Sequence, residues 1–305
     1  MVDISTQTES PVELIDGPAR AGAAANSGSS MLPRAVSLVG VVALYGLYRE
    51  LRVGAGRDVF ERGLPVAPFR HALTALKIEH ATSLDFELRW QRFAMHHWLM
   101  IRASNLYYAY GHQVITFALV ALIVLKAPWR DALRWVGGLF LQLPVALVCF
   151  MFYPLMPPRL LDAGPPWGGR VLETHRRLSP IGFTDTLAKL PGPWSPKPVG
   201  VGEFTNQFAA MPSLHCAFAM WVGVVWWQWT KGKSWRWLGF AHTAVTFWCV
   251  VVTGNHFVLD AIFGWMLALG ALALAGRLTR RRDVPRAQWE HGSSSRIPVT
   301  SSTSQ

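Results

Sequence analysis

Two histidines and an aspartate carry the spacing that chemistry needs. His256 and Asp260 lie four residues apart in GNHFVLDAIFG (254–264), which puts both on one face of a helix. A carboxylate bonded to one imidazole nitrogen fixes the tautomer and stabilises the imidazolium, leaving the other nitrogen free to attack or to take a proton. His215, in AAMPSLHCAF, stands forty-one residues upstream and can supply the proton that a departing alkoxide needs. It follows Pro212 and Ser213, a context suited to a helix start, where free N–H groups and the positive dipole end favour an anion. Ser213 is therefore a candidate ligand of that anion. Two histidines and a carboxylate can also hold iron or zinc. The Pro-Ser context and a basic loop nearby favour an anion over a metal cation.

These residues must be positioned by a membrane protein. The 305-residue chain is 51% hydrophobic and 15% charged, with 15 Trp, which is too apolar and aromatic for a soluble domain of this length. The pattern predicts an all-α, polytopic membrane bundle of about six transmembrane helices: Leu32–Tyr48, Trp98–Leu125, Leu133–Tyr153, Pro212–Trp229, Trp237–Val252 and Phe257–Ala275. Two further segments, 66–78 and 84–95, read as amphipathic helices lying in the interface. Residues 1–30 read as a disordered cytoplasmic tail, 31–276 as the membrane domain, and 277–305 as a basic, Ser/Thr-rich cytoplasmic tail. No cleaved signal peptide is expected, because no charged segment followed by an apolar one stands at residue 1.

The net charge of +11 comes mostly from Lys and Arg beside apolar segments, so the expected partners are the bilayer and its anionic headgroups, with no nucleic acid. The oligomeric state is not legible. Cys149, Cys216 and Cys249 lie in apolar segments without metal-type spacing, and no disulfide is expected. The Trp-rich stretches near 221–237 suit an aromatic belt.

An N-terminus inside places Lys126, Arg130, Arg134, Lys231, Lys233, Arg236, Arg277 and Arg280–Arg282 on the cytoplasmic side. His215, His256 and Asp260 then meet at the extracytoplasmic face, with the plasma membrane as the expected location. The loop 154–211 lies on the same side, and its ten prolines make it a shaped loop rather than a floppy one. Arg159 lies in it, suited to hold two oxygens of a phosphate at once. Arg170, Arg176 and Arg177 could add positive field, although a solvated face explains them as well. His112 shares a polar face of the second span with Asn105, Tyr108 and Gln113 and needs a partner in lipid. His242 reads as structural.

NLYYAYGH (105–112), YPLMPPRLL (153–161), GFTDT (182–186), AAMPSLH (209–215) and GNHFVLDAIFG (254–264) together resemble the type 2 phosphatidic acid phosphatase superfamily. Within it the chain is similar to the inositolphosphotransferase branch, that of inositol phosphorylceramide synthase. The resemblance spans roughly 90–275 and implies a phosphotransferase acting on a lipid-linked phosphate ester, or alternatively a lipid phosphate phosphatase. It implies that His256 attacks phosphorus to form a phosphohistidine, that Asp260 orients it, and that His215 protonates the leaving alcohol, with no cofactor and no metal. Arg159, His112 and Ser213 are the expected substrate ligands. The chain departs from the typical lipid phosphatases: Phe152 stands at the position of a motif Lys, Leu160 at that of a Pro, and Val250 at that of an Arg. Two expected phosphate-binding cations are missing.

Overall fold

The computed structural model describes residues 27–61, 66–164, 167–169, 171, 180–190, 192–193 and 206–280; in the first helix the described side chains are those of Arg34–Arg52. The expected tails at 1–26 and 281–305, and with them Arg281 and Arg282, lie outside these residues, as do Arg170, His175, Arg176 and Arg177. The helices are α1 (Ser27–Glu61), α2 (Val66–Ala81), α3 (Glu87–His96), α4 (Trp98–Leu106), α5 (His112–Lys126), α6 (Trp129–Phe140), α7 (Gln142–Phe152), α8 (Thr186–Lys189), α9 (Leu214–Trp229), α10 (Leu238–Val252) and α11 (Val258–Arg280). No strand occurs among the described residues, and the one isolated bridge pairs Leu155 with Ala209.

The chain is a helical membrane bundle, and each of the six apolar segments is helical. A single π-helical turn, Tyr107–Gly111, joins α4 to α5. Three stretches are long and apolar enough to cross a bilayer: Trp98–Lys126, Trp129–Phe152 and Val258–Arg280. α9 and α10 have 16 and 15 residues, which at about 1.5 Å per residue fall short of a hydrocarbon core of about 30 Å. Crossing there needs the adjoining turns, such as the 3-10 turn Ser234–Trp237 before α10. The ends follow the prolines: α5 stops before Pro128 and α7 before Pro154, because proline disfavours helical geometry in the residue preceding it.

α9 is the central helix and packs against α10, α11 and α6. Its Trp221 is fully buried and donates its indole N–H to the Trp135 carbonyl at 2.8 Å, so that no polar atom of the ring is stranded in an apolar core. Glycines let the helices close. A Cβ on Gly239 would meet the Gly223 backbone at 3.1 Å, the close approach through which helices gain van der Waals contact in lipid. Outward, α1 exposes Val36, Val39 and Val42, and α7 exposes Val145, Val148 and Met151. Such faces are stable only against lipid or another apolar surface.

Two features differ from expectation. First, α1 does not stop at Tyr48 but runs on to Glu61. Leaving an apolar segment does not end a helix, and the residues that follow Tyr48 include good helix formers and no proline. As a result Tyr48 and Arg52 share a face, and α1 packs on α5 and α7. Second, α2 and α3 exist, but their polar residues do not all face water. Glu79, Glu87 and Gln91 are fully buried. Hydrophobic patterning reads a polar residue as outward, and here the polar groups face inward because a helix end needs them.

That end is the start of α11. Three successive N–H groups find carboxylates: Phe257 donates to Asp260 Oδ2 at 3.0 Å, Val258 to Glu87 Oε1 at 3.0 Å, and Leu259 to Glu79 Oε1 at 2.8 Å. The first N–H groups of a helix have no partner within it, so α2 and α3 hold α11 by its exposed donors. Burial, with the Glu87 carboxyl alongside, raises the Glu79 pKa well above its ordinary 4.5. A carboxyl with a raised folded pKa keeps its proton while the unfolded chain loses its own, so stability is full below about pH 4.5 and falls as pH rises. Glu79→Gln keeps an acceptor for Leu259 without an ionisable proton. It is expected to raise the melting temperature by a few degrees at pH 9 relative to wild type and by less at pH 5. Equal shifts at the two pH values would refute a protonated Glu79.

Candidate functional site

The beginnings of α9 and α11 meet at one end of the bundle. Ser213 caps α9, its hydroxyl accepting the Cys216 N–H at 3.3 Å. Its own N–H donates to the Asp260 carbonyl at 3.0 Å, tying one helix start to the other. Gly264, nearly two turns into α11, makes this approach possible: a Cβ there would fall on the Ser213 carbonyl oxygen and 3.2 Å from the Ala217 nitrogen. Both obstacles are backbone and cannot swing aside. Gly264→Ala is thus expected to lower stability by about 1–3 kcal/mol and, by shifting one histidine against the other, turnover by roughly 10²-fold. A thermal melt and a rate assay check this. Wild-type values in both would show that the contact yields without cost.

The two histidines brought together this way are in contact. His215 Nδ1 lies 3.1 Å from His256 Nε2, so one of these nitrogens carries a proton that the other accepts. His256 Nδ1 lies 3.4 Å from Asp260 Oδ2, and the pair is almost fully buried. That separation is an ion-pair distance, longer than a good hydrogen bond, as is common in sites without substrate. Behind His215 the ring of Tyr108 stacks at 4.6 Å and that of His112 lies at 4.5 Å. Both come from the π-turn or the residue just after it, and single π-turns occur mostly at functional sites. His112 is buried and touches His215, and it is not among the residues lining the cavity. The substrate contact expected of His112 has no counterpart among the described cavity walls.

A cavity of about 270 Å³ opens in front of the histidines. Its described walls include Arg52, Tyr108, Arg159, Gln207, Asn255 and the two histidines. Ser213 is fully buried and its hydroxyl is occupied as a cap, so the structure places it under the site rather than in it. Backbone donors are also taken at the start of α11. The helix-terminus anion site expected from sequence belongs to the start of α9, a different helix, where the Ser213 hydroxyl accepts the Cys216 N–H.

Arg159 lies in the cavity wall, and each of its three guanidinium nitrogens donates a hydrogen bond. Nε donates to Asn255 Oδ1 at 2.8 Å, Nη1 to Asp185 Oδ2 at 2.7 Å, and Nη2 to Gln207 Oε1. Asp185 is itself fixed, capping the short α8 by accepting from Leu187 and Ala188. Arg159 N–H also donates to the carbonyl of Gly254 at 2.8 Å. Gly254 has φ +68°, and a Cβ there would crowd Gln91 and Arg159, so glycine is required for both reasons. Two of the five guanidinium N–H groups remain to orient an oxygen, but the positive charge is already matched by Asp185.

The quoted motifs converge on this framework. Thr186 donates to Asn105 Oδ1 at 2.9 Å, linking GFTDT to NLYYAYGH. Gln91 accepts from Thr184 N–H at 2.8 Å, and Asp162 accepts from the N–H groups of Ile181, Gly182 and Phe183. Among the described residues no group of three or more His, Cys, Asp or Glu side chains is arranged to hold a metal ion.

A profile of the PAP2 superfamily matches residues 73–274, well over half of the chain. The chain belongs to the PAP2 superfamily. No curated protein and no solved structure matches it. The PAP2 match takes in α2 and α3 as well as the histidine helices, so the segments that cap α11 belong to the matched unit. Membership supports a phosphatase-type enzyme acting on phosphate esters. α1, which carries Arg52, lies before the matched residues.

Several residues that build this PAP2 site escape sequence reasoning: Glu79, Glu87, Gln91, Asp185, Gln207, Asn255 and Arg52. A carboxylate on an amphipathic helix carries no mark of facing inward. Asp185 had a signal, since it stands inside a quoted motif, but not one that says which cation it meets.

Proposed function

We propose that the protein is a membrane phosphotransferase that works on a lipid-linked phosphate ester through a phosphohistidine at His256. The observation that carries this reading is the single buried array Asp260–His256–His215, opening on a cavity with arginines in its walls. The His256 Nε2 lone pair attacks phosphorus, and the bond from phosphorus to the leaving oxygen breaks. Its electrons go to that oxygen, which His215 protonates. Asp260 stabilises the cationic ring that results. In the second half-reaction an acceptor hydroxyl gives its proton to His215 and attacks phosphorus, and the P–N bond returns its pair to Nε2. Arg159 orients a phosphate oxygen, and His112 holds the His215 ring. The lipid reading rests on the apolar helices that surround the site, and an extracytoplasmic face rests on the distribution of Lys and Arg.

Hydrolysis is the second reading, because water fits wherever an acceptor hydroxyl does. Both are tested with purified protein in vesicles containing a lipid phosphate ester, with and without a lipid alcohol. The transferase reading expects a phosphorylated or phospho-alcohol-bearing acceptor product that appears only with the alcohol. Inorganic phosphate released at the same rate without it would make the protein a lipid phosphatase. Turnover of neither kind would defeat both.

A further inference from the structure

We infer that Arg52, on the first helix, is the cation that neutralises the bound phosphate, a proposal that rests on the phosphate-ester reading above. A phosphate group carries at least one negative charge at neutral pH, and a buried anion is costly unless a cation meets it. Among the described residues the cavity wall holds two arginines. Arg159 is one, and its charge is matched by Asp185 at 2.7 Å. Arg52 is the other. None of the described lining residues is a carboxylate, and Arg52 Nε is buried with no hydrogen-bond partner among the described residues. It shares the cavity wall with His215 and His256, the two histidines between which the phosphate chemistry is proposed. A buried guanidinium nitrogen lacking an acceptor is costly, and a phosphate oxygen is the acceptor that fits it, in the bidentate geometry a guanidinium favours.

The same assignment accounts for the cations that the motifs lack. Phe152 and Val250 occupy positions where charge was expected, and both side chains leave the cavity without it: Val250 is fully buried in an apolar cluster, and Phe152 is exposed on the outer surface. The extension of α1 beyond Tyr48 brings in the charge from a different helix. Phosphate recognition is thereby moved from the histidine-bearing unit to a helix outside the matched residues.

The test is equilibrium binding of inorganic phosphate to full-length protein in detergent, for wild type, Arg52→Gln, Arg52→Lys and Arg277→Gln. Arg277 is exposed near the end of α11, far along the helix from His256, and controls for the change in net charge. The dissociation constant is expected to rise about 10- to 100-fold in Arg52→Gln, to rise less in Arg52→Lys, and to stay unchanged in Arg277→Gln. Melting temperatures within about two degrees of wild type keep the comparison to folded protein, and Arg52→Lys serves if Arg52→Gln does not fold. Wild-type affinity in either folded Arg52 variant, with phosphate still displaced by the substrate ester, overturns the role of Arg52 and leaves the phosphate-ester reading standing. Wild-type protein that binds no phosphate and cleaves no ester overturns both.

Discussion

Replacing His256 with alanine is expected to lower turnover of a phosphate ester by at least about 10³-fold, with little change in substrate affinity. Among the described residues lining the cavity, the His256 imidazole has one nitrogen toward His215 and the other 3.4 Å from a carboxylate. Neighbouring groups cannot substitute. His215 has no carboxylate behind it; its ring lies between Tyr108, His112 and His256. Rapid quenching of wild type with labelled substrate should trap an acid-labile, base-stable phosphoprotein, absent in His256→Ala. Turnover at the wild-type rate in the variant, or a trapped phosphate on another residue, would remove His256 from the centre of the reaction.

The second large effect concerns Asp260. Asparagine preserves shape and can still accept the Phe257 N–H, which Asp260 Oδ2 takes at 3.0 Å. What it removes is the negative charge, in a place that is fully buried and where water screens little. The cationic ring formed on attack then has no counter-charge, and the tautomer with a proton on Nδ1 loses its advantage. Turnover is expected to fall by roughly 10²- to 10⁴-fold in Asp260→Asn while melting temperature and substrate affinity stay near wild type. A loss confined to affinity would instead assign Asp260 to substrate binding.

The elements of this fold were legible in the sequence because lipid imposes a simple rule. A run such as HQVITFALVALIVLK has one stable form in a bilayer, since its backbone must satisfy its own hydrogen bonds. His215, His256 and Asp260 were legible for a related reason: an Asp one turn from a His inside an apolar stretch is unexplained by packing. What could not be read is how polar groups pair across distant segments. Arg159 looked like a free clamp, and its neutralisation by Asp185, twenty-six residues on, is visible only in three dimensions. Ser213 looked like a ligand because a serine before a helix is equally a cap. Glu79 and Glu87 follow amphipathic spacing, and only the exposed donors of α11 explain why they turn inward. Arg52 was hidden by the reasonable inference that a membrane helix ends where its apolar stretch ends.

The contact between the two histidine rings has a consequence for the resting protein. With His215 Nδ1 set 3.1 Å from His256 Nε2, the pair that the proposed attack uses is shared with a proton in the tautomer that carries hydrogen on His215 Nδ1. On the proposed mechanism, passage of the His215 proton to the leaving oxygen is what frees the pair. The two rings must, on that mechanism, part before any bond to phosphorus forms.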